Sequence, residues 1–467
     1  MEHRMNYRIE RDSMGEVKIP INAYYGAQTQ RAIDNFQVSG LRFPFAFIRA
    51  QAIIKRAAAI ANRKAGKLKS ELAEAIIDAA EEILAGELTE QFVLDIFQAG
   101  AGTSQNMNMN EVLANRACEL LGAHKGDTTL VNPNDHVNMS QSTNDTFHVA
   151  IHLAAYGEIQ ERLLPAIESL EKELRRKSIE FDHIIKTGRT HLQDAVPIRL
   201  GQEFSAYSSM MANSHRRVKQ AAESLLEICI GGTAVGTGLN TVENYHQNVI
   251  KEINESTGYE FRLPENMFEA FQSFDSVLEV TGAMRVLITG LRKIADDFRL
   301  LASGPRTGFA EITLPPVQPG SSIMPGKVNP VMAEMFDMVC FHAMGLDTAI
   351  TSAAQAGQLE LNVMMPIIAY DLLSEITILS GGINSFTRRC VEGIVANEEI
   401  CRRYAEHSSA IATALSPVIG YLEAAKLAKE ALEKNLTIRE LVIGKKLLDE
   451  KTLEKLLDLR RMTEGVE

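Results

Sequence analysis

Gly320 to Pro330 reads GSSIMPGKVNP, which sets two adjacent hydroxyls, an ammonium and an amide between glycines. A lysine behind a glycine suggests a phosphate loop. Here, however, five residues separate Gly320 from Gly326 where that loop requires four, and Val328 stands where it needs a metal-binding hydroxyl. The segment better suits a Gly-flanked loop whose backbone N–H groups and Lys327 hold a carboxylate or an enolate, with a serine as candidate base. Other polar stretches supply Thr103, Ser142, Thr143, Asn144, Thr190 and His191. With Lys327 and Asn329 these make a set of neutral donors plus one cation, which can satisfy two carboxylates without ionising a bound base. Taken one at a time, each is equally well explained as a helix cap or a turn residue.

Other candidates carry less. His148 and His152 are four apart and would share one face of a helix, but there is no HExxH glutamate and no third ligand nearby. A packed or surface pair is the better reading, and no metal site or cofactor is expected. Gly231 to Gly238 lacks the third glycine of a dinucleotide fingerprint and no βαβ pattern surrounds it, so close backbone packing is its expected use. The five cysteines (Cys118, Cys229, Cys340, Cys390 and Cys401) are scattered without a CxxC, which indicates neither a disulfide scaffold nor zinc.

The elements that must position these residues read as helices. Leu163, Ile167, Leu170 and Leu174 form one apolar stripe, and Leu287, Leu291, Ile294, Phe298 and Leu301 form another. Long helices with few breakers are expected over 146–300 and 331–390, and strand alternation with hairpin turns is scarce. Residues 1–40 read as irregular or short-strand structure. Polar segments at 100–110, 132–145, 187–193, 231–241 and 303–330 break the helices, and 391–396 separates off a last small helical unit. The predicted class is all-α. Among 467 residues, 48 Lys and Arg face 60 Asp and Glu, for a net charge of −12. That balance disfavours nucleic acid and anionic membranes as main partners while leaving room for a local anion pocket. Met1 to Glu16 is charged and has no apolar signal core, and no run of about 18 apolar residues is free of charge. A cytoplasmic setting is the expectation.

Taken together, the polar segments resemble the fumarase/aspartase superfamily. GSSIMPGKVNP has companions in order: GTSQNMNMNEVLANRA at 102–117, NDHVNMSQSTND at 134–145, GRTHLQDAVP at 188–197, GGTAVGTGLNT at 231–241, ASGPR at 302–306 and GQLELNV at 357–363. The likeness runs from Tyr7 to Arg460. It implies a long-helix bundle in a homotetramer, with each active site shared by three subunits. Three domains are expected: a mostly helical one over 1–140, the central bundle over 141–392 and a small helical one over 393–467. The implied reaction is a reversible anti-elimination that yields fumarate. By the same resemblance Ser321 abstracts the proton next to one carboxylate, and Lys327, Asn329 and the loop amides stabilise the resulting aci-carboxylate. Ser322 and Met324 lie on the substrate. Thr103, Ser142, Thr143, Asn144, Thr190 and His191 hold the other carboxylate and the leaving group, and Glu334 pairs with His191.

The leaving group is ammonia from L-aspartate or water from L-malate. Ala101 stands where fumarases usually carry a serine, Asn132 where they carry a histidine, and GQLELNVM and Pro330-Val331 also depart from the fumarase pattern. These favour ammonia. GAQTQR at 26–31 and MGEVKIP at 14–20 look fumarase-like, whereas Met365, Leu346-Asp347 and His148 match neither pattern.

Overall fold

The computed structural model describes residues 6–465; the ends of the chain, including the first part of the charged N-terminal stretch, lie outside the described residues. Among the described residues the apolar stripes become 17 α-helices, and strands occur only as three two-stranded antiparallel sheets. The chain is all-α, as its periodicity predicts. It divides into two compact units. One comprises Met1–Leu164, Arg217–Arg285 and His342–Leu379; the other comprises Pro165–Arg216, Val286–Phe341 and Ser380–Glu467.

In the first unit, the helix Phe45–Lys64 is the hub. It buries Phe47, Ile48, Ile53, Ile54 and Ile60 and packs on the helices Ser70–Leu84, Thr143–Glu158 and Tyr245–Thr257. A second helix, Thr103–Leu120, is buried yet polar, so each side chain must find a partner. Asn108 donates to the Gln91 carbonyl and Asn115 to the Tyr24 carbonyl. Glu111 accepts the N–H groups of Gly26, Gln28 and Thr29, so it caps the helix Ala27–Asn35 from a distance. Gly26 is required there, because a Cβ would lie 2.7–2.9 Å from the Glu10 and Glu111 carboxylates. Ahead of that helix, β1 (Tyr7–Asp12) and β2 (Gly15–Pro20) form a hairpin, the short-strand structure expected at the N-terminus.

The second unit has an aromatic core. Phe204, Tyr207, Phe298, Phe336 and Phe386 meet with ring centroids 4.5–5.8 Å apart. Leu287, Leu291, Ile294, Phe298 and Leu301 are all buried, as their spacing predicts, and so are Ile167, Leu170 and Leu174. The last helices close on a core of their own around Leu415, Leu427, Leu441 and Leu453.

The expected helical stretch 146–300 is interrupted. Residues 187–193 read as a polar loop between helices, but they form the end of a hairpin, β3 (Ile185–Thr190) and β4 (Gln193–Arg199). The flanking residues Ile185, Thr187, Val196 and Ile198 are β-branched and favour strand, but the alternation is only a few residues long. Gly188, Pro197 and a bulge between Thr187 and Arg189 break it further. The helix Met365–Arg389 is apolar and long enough by composition to cross a bilayer, yet 67% of its most apolar window is buried in the protein.

His148 and His152 are a packed pair. Their rings lie 4.6 Å apart on the helix Thr143–Glu158, and Phe274 is 4.7 Å from His148. His152 Nδ1 faces two carbonyls, those of Leu225 and Glu227, so it carries the proton and donates; the Ser276 hydroxyl then donates to Nε2. Burial pushes His148 down to about 3, with His152 contributing, and burial pushes His152 down to about 4. Below about pH 6.5 the unfolded rings take up protons that the folded ones refuse, so stability falls as pH falls from about 6.5 to 4. The loss should approach roughly 3 kcal/mol per ring at pH 4. His148→Phe keeps the packing and removes one of these sites, so its melting temperature should fall less steeply over that range. An unchanged acid slope would show that the histidines do not set it.

Candidate active site

The first unit gathers one group of site residues at two helix N-termini. Thr103 opens its helix after Gly102, whose φ of +79° and whose distance of 2.1 Å from a built Cβ to the Phe147 ring leave room only for glycine. Ser142 caps the helix Thr143–Glu158 through a capping box with Asp145. Thr143 accepts from Asn106 at 3.0 Å, and Asn144 donates to the Ala234 carbonyl at 2.7 Å. This fixes three polar residues in one turn, where free N–H groups and the helix dipole favour an anion. The second Asp145 oxygen accepts the N–H groups of Gly231 and Thr233 and so holds the Gly-rich segment. That segment is closely packed, as expected: a Cβ on Gly232 would lie 2.4 Å from Phe271.

Beneath this turn lies a lysine that the sequence reading missed. Lys55 is 1% exposed and donates to Asn138 Oδ1 at 2.9 Å and Gln141 Oε1 at 3.0 Å. Burial pulls its ammonium down to about 7, partly offset by Asp145, and burial raises Asp145 to about 7. Only the oddity of a lysine inside IIKRAAAI could have signalled it. Asn132 spends its side-chain oxygen on the N–H groups of Asn134 and Asp135. Ala101 is buried, with φ +59°, and donates its N–H to the Val363 carbonyl.

The second unit carries the remaining residues on two separate segments. Thr190 pairs with Gln193, so His191 and Leu192 form a two-residue turn with φ of 55° and 60°. Such turns normally take glycine or asparagine; two residues with larger side chains there carry backbone strain of about 1–3 kcal/mol each. The turn leaves His191 exposed. Among the described residues no hydrogen bond or ion pair joins His191 to Glu334, which lies half-buried in the first turn of the helix Val331–Ala354.

The segment Gly320 to Pro330 folds on itself. The Gly320 N–H donates to the Lys327 carbonyl, and Asn329 Nδ2 donates to the Gly320 carbonyl at 2.6 Å. A Cβ on Gly320 would lie 2.5 Å from the Lys327 oxygen, so only glycine permits this closure. Inside the loop, Ser321 Oγ accepts the N–H groups of Ile323 at 3.2 Å and Met324 at 2.9 Å. Ser322, Met324 and Lys327 are exposed around it.

Comparison with known proteins shows the family of the chain. The sequence pattern of a lyase family matches residues 15–345, and that of the fumarase C C-terminus matches residues 411–464. The chain is 47% identical to an aspartate ammonia-lyase of Bacillus subtilis, over 98% of this chain and 96% of that protein. It is 46% identical to a class II fumarate hydratase of Helicobacter pylori, over 98% and 99%. A crystal structure of class II fumarase from Schistosoma mansoni superposes with a TM-score of 0.95 at 38% identity, covering 98% of this chain and 99% of that one. A loop built around a donor-held serine and polar helix N-termini thus sit in a chain that, over nearly its whole length, belongs to the fumarase/aspartase superfamily of lyases.

Proposed function

We propose that this lyase eliminates ammonia from L-aspartate to give fumarate, with Ser321 as the base. The observation that carries the reading is the pair of backbone N–H groups on Ser321 Oγ. A serine hydroxyl is a weak base at neutral pH, and donors already aimed at its oxygen favour the alkoxide. In the reaction Oγ takes a proton from the carbon next to one carboxylate. The C–H electron pair moves into that carboxylate, where Lys327, Asn329 and the loop amides meet the added charge. The pair then returns to form the C=C bond as the C–N bond breaks. The ammonium leaves as neutral ammonia and needs less acid assistance than hydroxide. Thr103, Ser142, Thr143, Asn144, Thr190 and His191 hold the second carboxylate and the leaving group, with Ser322 and Met324 against the substrate.

The reading includes a homotetramer in which three subunits complete each site and Glu334 of one copy meets His191 of another. An apolar stripe supports association: Met338, Phe341 and Met344 are 64%, 55% and 38% exposed along one helix. The five cysteines are free and buried, which suits a reducing cytoplasm. Ammonia is favoured over water by Ala101, which offers no hydroxyl, and by Asn132, whose side-chain oxygen is already spent on its own turn.

Three outcomes are expected. The formation rate of fumarate, read by its ultraviolet absorbance, should give a larger kcat/KM with L-aspartate than with L-malate; the reverse order would make the enzyme a fumarate hydratase. Ser321→Ala should lower kcat by about 10²–10⁴-fold with little change in KM or assembly. A variant that keeps its rate would mean that another group takes the proton. Light scattering should show four copies per particle, and an active monomer would contradict the shared site.

A further inference from the structure

The hairpin that carries Thr190 and His191 is strained at its tip and solvent-facing, so something at its base must fix it. Glu311 occupies that base. Its side chain is fully buried and forms ion pairs with both Arg189 and Lys186 at 2.9 Å, and Lys186 also reaches Glu203 at 3.1 Å. Two positive and two negative charges thus balance around the buried Glu311 and Lys186, with Glu203 and Arg189 at the edge of the cluster. Burial alone would depress the Lys186 ammonium, but Glu203 and Glu311 outweigh it and hold it above its ordinary value.

Arg189 is held on a second side by the Phe309 ring, 4.3 Å from its guanidinium carbon. Phe309 and Glu311 belong to one short segment whose backbone is locked in turn. The Glu311 N–H donates to the Leu301 carbonyl, its carbonyl accepts from Asn397, and the next two residues form β5 (Ile312–Thr313) against β6 (Val395–Ala396). The chain then runs from β5 directly to the Ser321 loop. Arg189 immediately precedes Thr190. We infer that Glu311 and Arg189 are positioning residues: the buried pair ties the turn presenting Thr190 and His191 to the rigid segment that leads to the Ser321 loop. The inference rests on the proposed roles of Thr190 and His191.

The test compares four variants. Glu311→Gln and Arg189→Gln each break the pair, the double variant restores charge balance in the cluster, and Glu203→Gln disturbs the same cluster without touching Arg189. The double variant guards against the failure of Glu311→Gln to fold around uncompensated charge. Each single should lower kcat/KM on the better substrate by about 10–100-fold, as displacement of a site group by about 1 Å does. The double should lose no more than the worse single. Amide exchange at residues 190–193 should rise in the three variants that break the pair and stay unchanged in Glu203→Gln, which should retain kcat/KM within about threefold. Amide exchange reads the hairpin without reference to activity, so a wild-type enzyme inactive on both substrates would overturn the proposed function and leave this test standing. Equal losses in Glu203→Gln and Glu311→Gln, or full activity with an unchanged hairpin in the double variant, would overturn the inference.

Discussion

Three buried carboxylates in this chain, Asp145, Glu111 and Glu311, find their donors on segments far away in sequence. Asp145 caps its own helix with one oxygen and holds Gly231 and Thr233 with the other. Glu111 caps the helix Ala27–Asn35 across 85 residues, and Glu311 reaches back to Arg189 across 122. Each left unpaired would cost several kcal/mol, so each fixes the distant segment it meets. The Ser142 turn and the Thr190–His191 hairpin lean on two of these anchors, Asp145 and Glu311, whereas the Ser321 loop closes on itself.

The same logic divides the chemistry. Buried groups do structural work: Lys55 holds Asn138 and Gln141 under the Ser142 turn, and its neighbour Asp145 holds the turn itself. Lys327 and His191, both proposed to meet substrate, stay at the surface of the chain, where both are exposed. An exposed ammonium stays hydrated, with no desolvation cost until a carboxylate arrives. Ser321 is supplied with two backbone donors before any substrate binds.

How much of this was legible in the sequence depended on the length of each pattern. The stripes Leu287 to Leu301 and Leu163 to Leu174 repeat often enough to fix helix and buried face together. The hairpin 185–199 does not: its alternation is short and bulged, and its turn residues, His191 and Leu192, are not ones that a two-residue turn normally selects. Motif spacing marked the Ser321 loop, but nothing in GSSIMPGKVNP announces that Ile323 and Met324 donate to the serine. Lys55, Glu311 and the packing of Phe309 on Arg189 were invisible for a simpler reason. Their partners lie about 80 to 120 residues away, and charge pairing over such distances leaves no local trace.

The Ser321 loop also sets a thermodynamic signature. Ile323, Met324 and Val328 are 83%, 48% and 52% exposed on a segment whose other residues are polar or small. A dicarboxylate is itself almost entirely polar, and its desolvation alone leaves no apolar mark. If the loop folds down over a bound dicarboxylate, it takes those three side chains out of water. Ligand association would then carry a negative heat-capacity change that belongs to the protein rather than to the ligand.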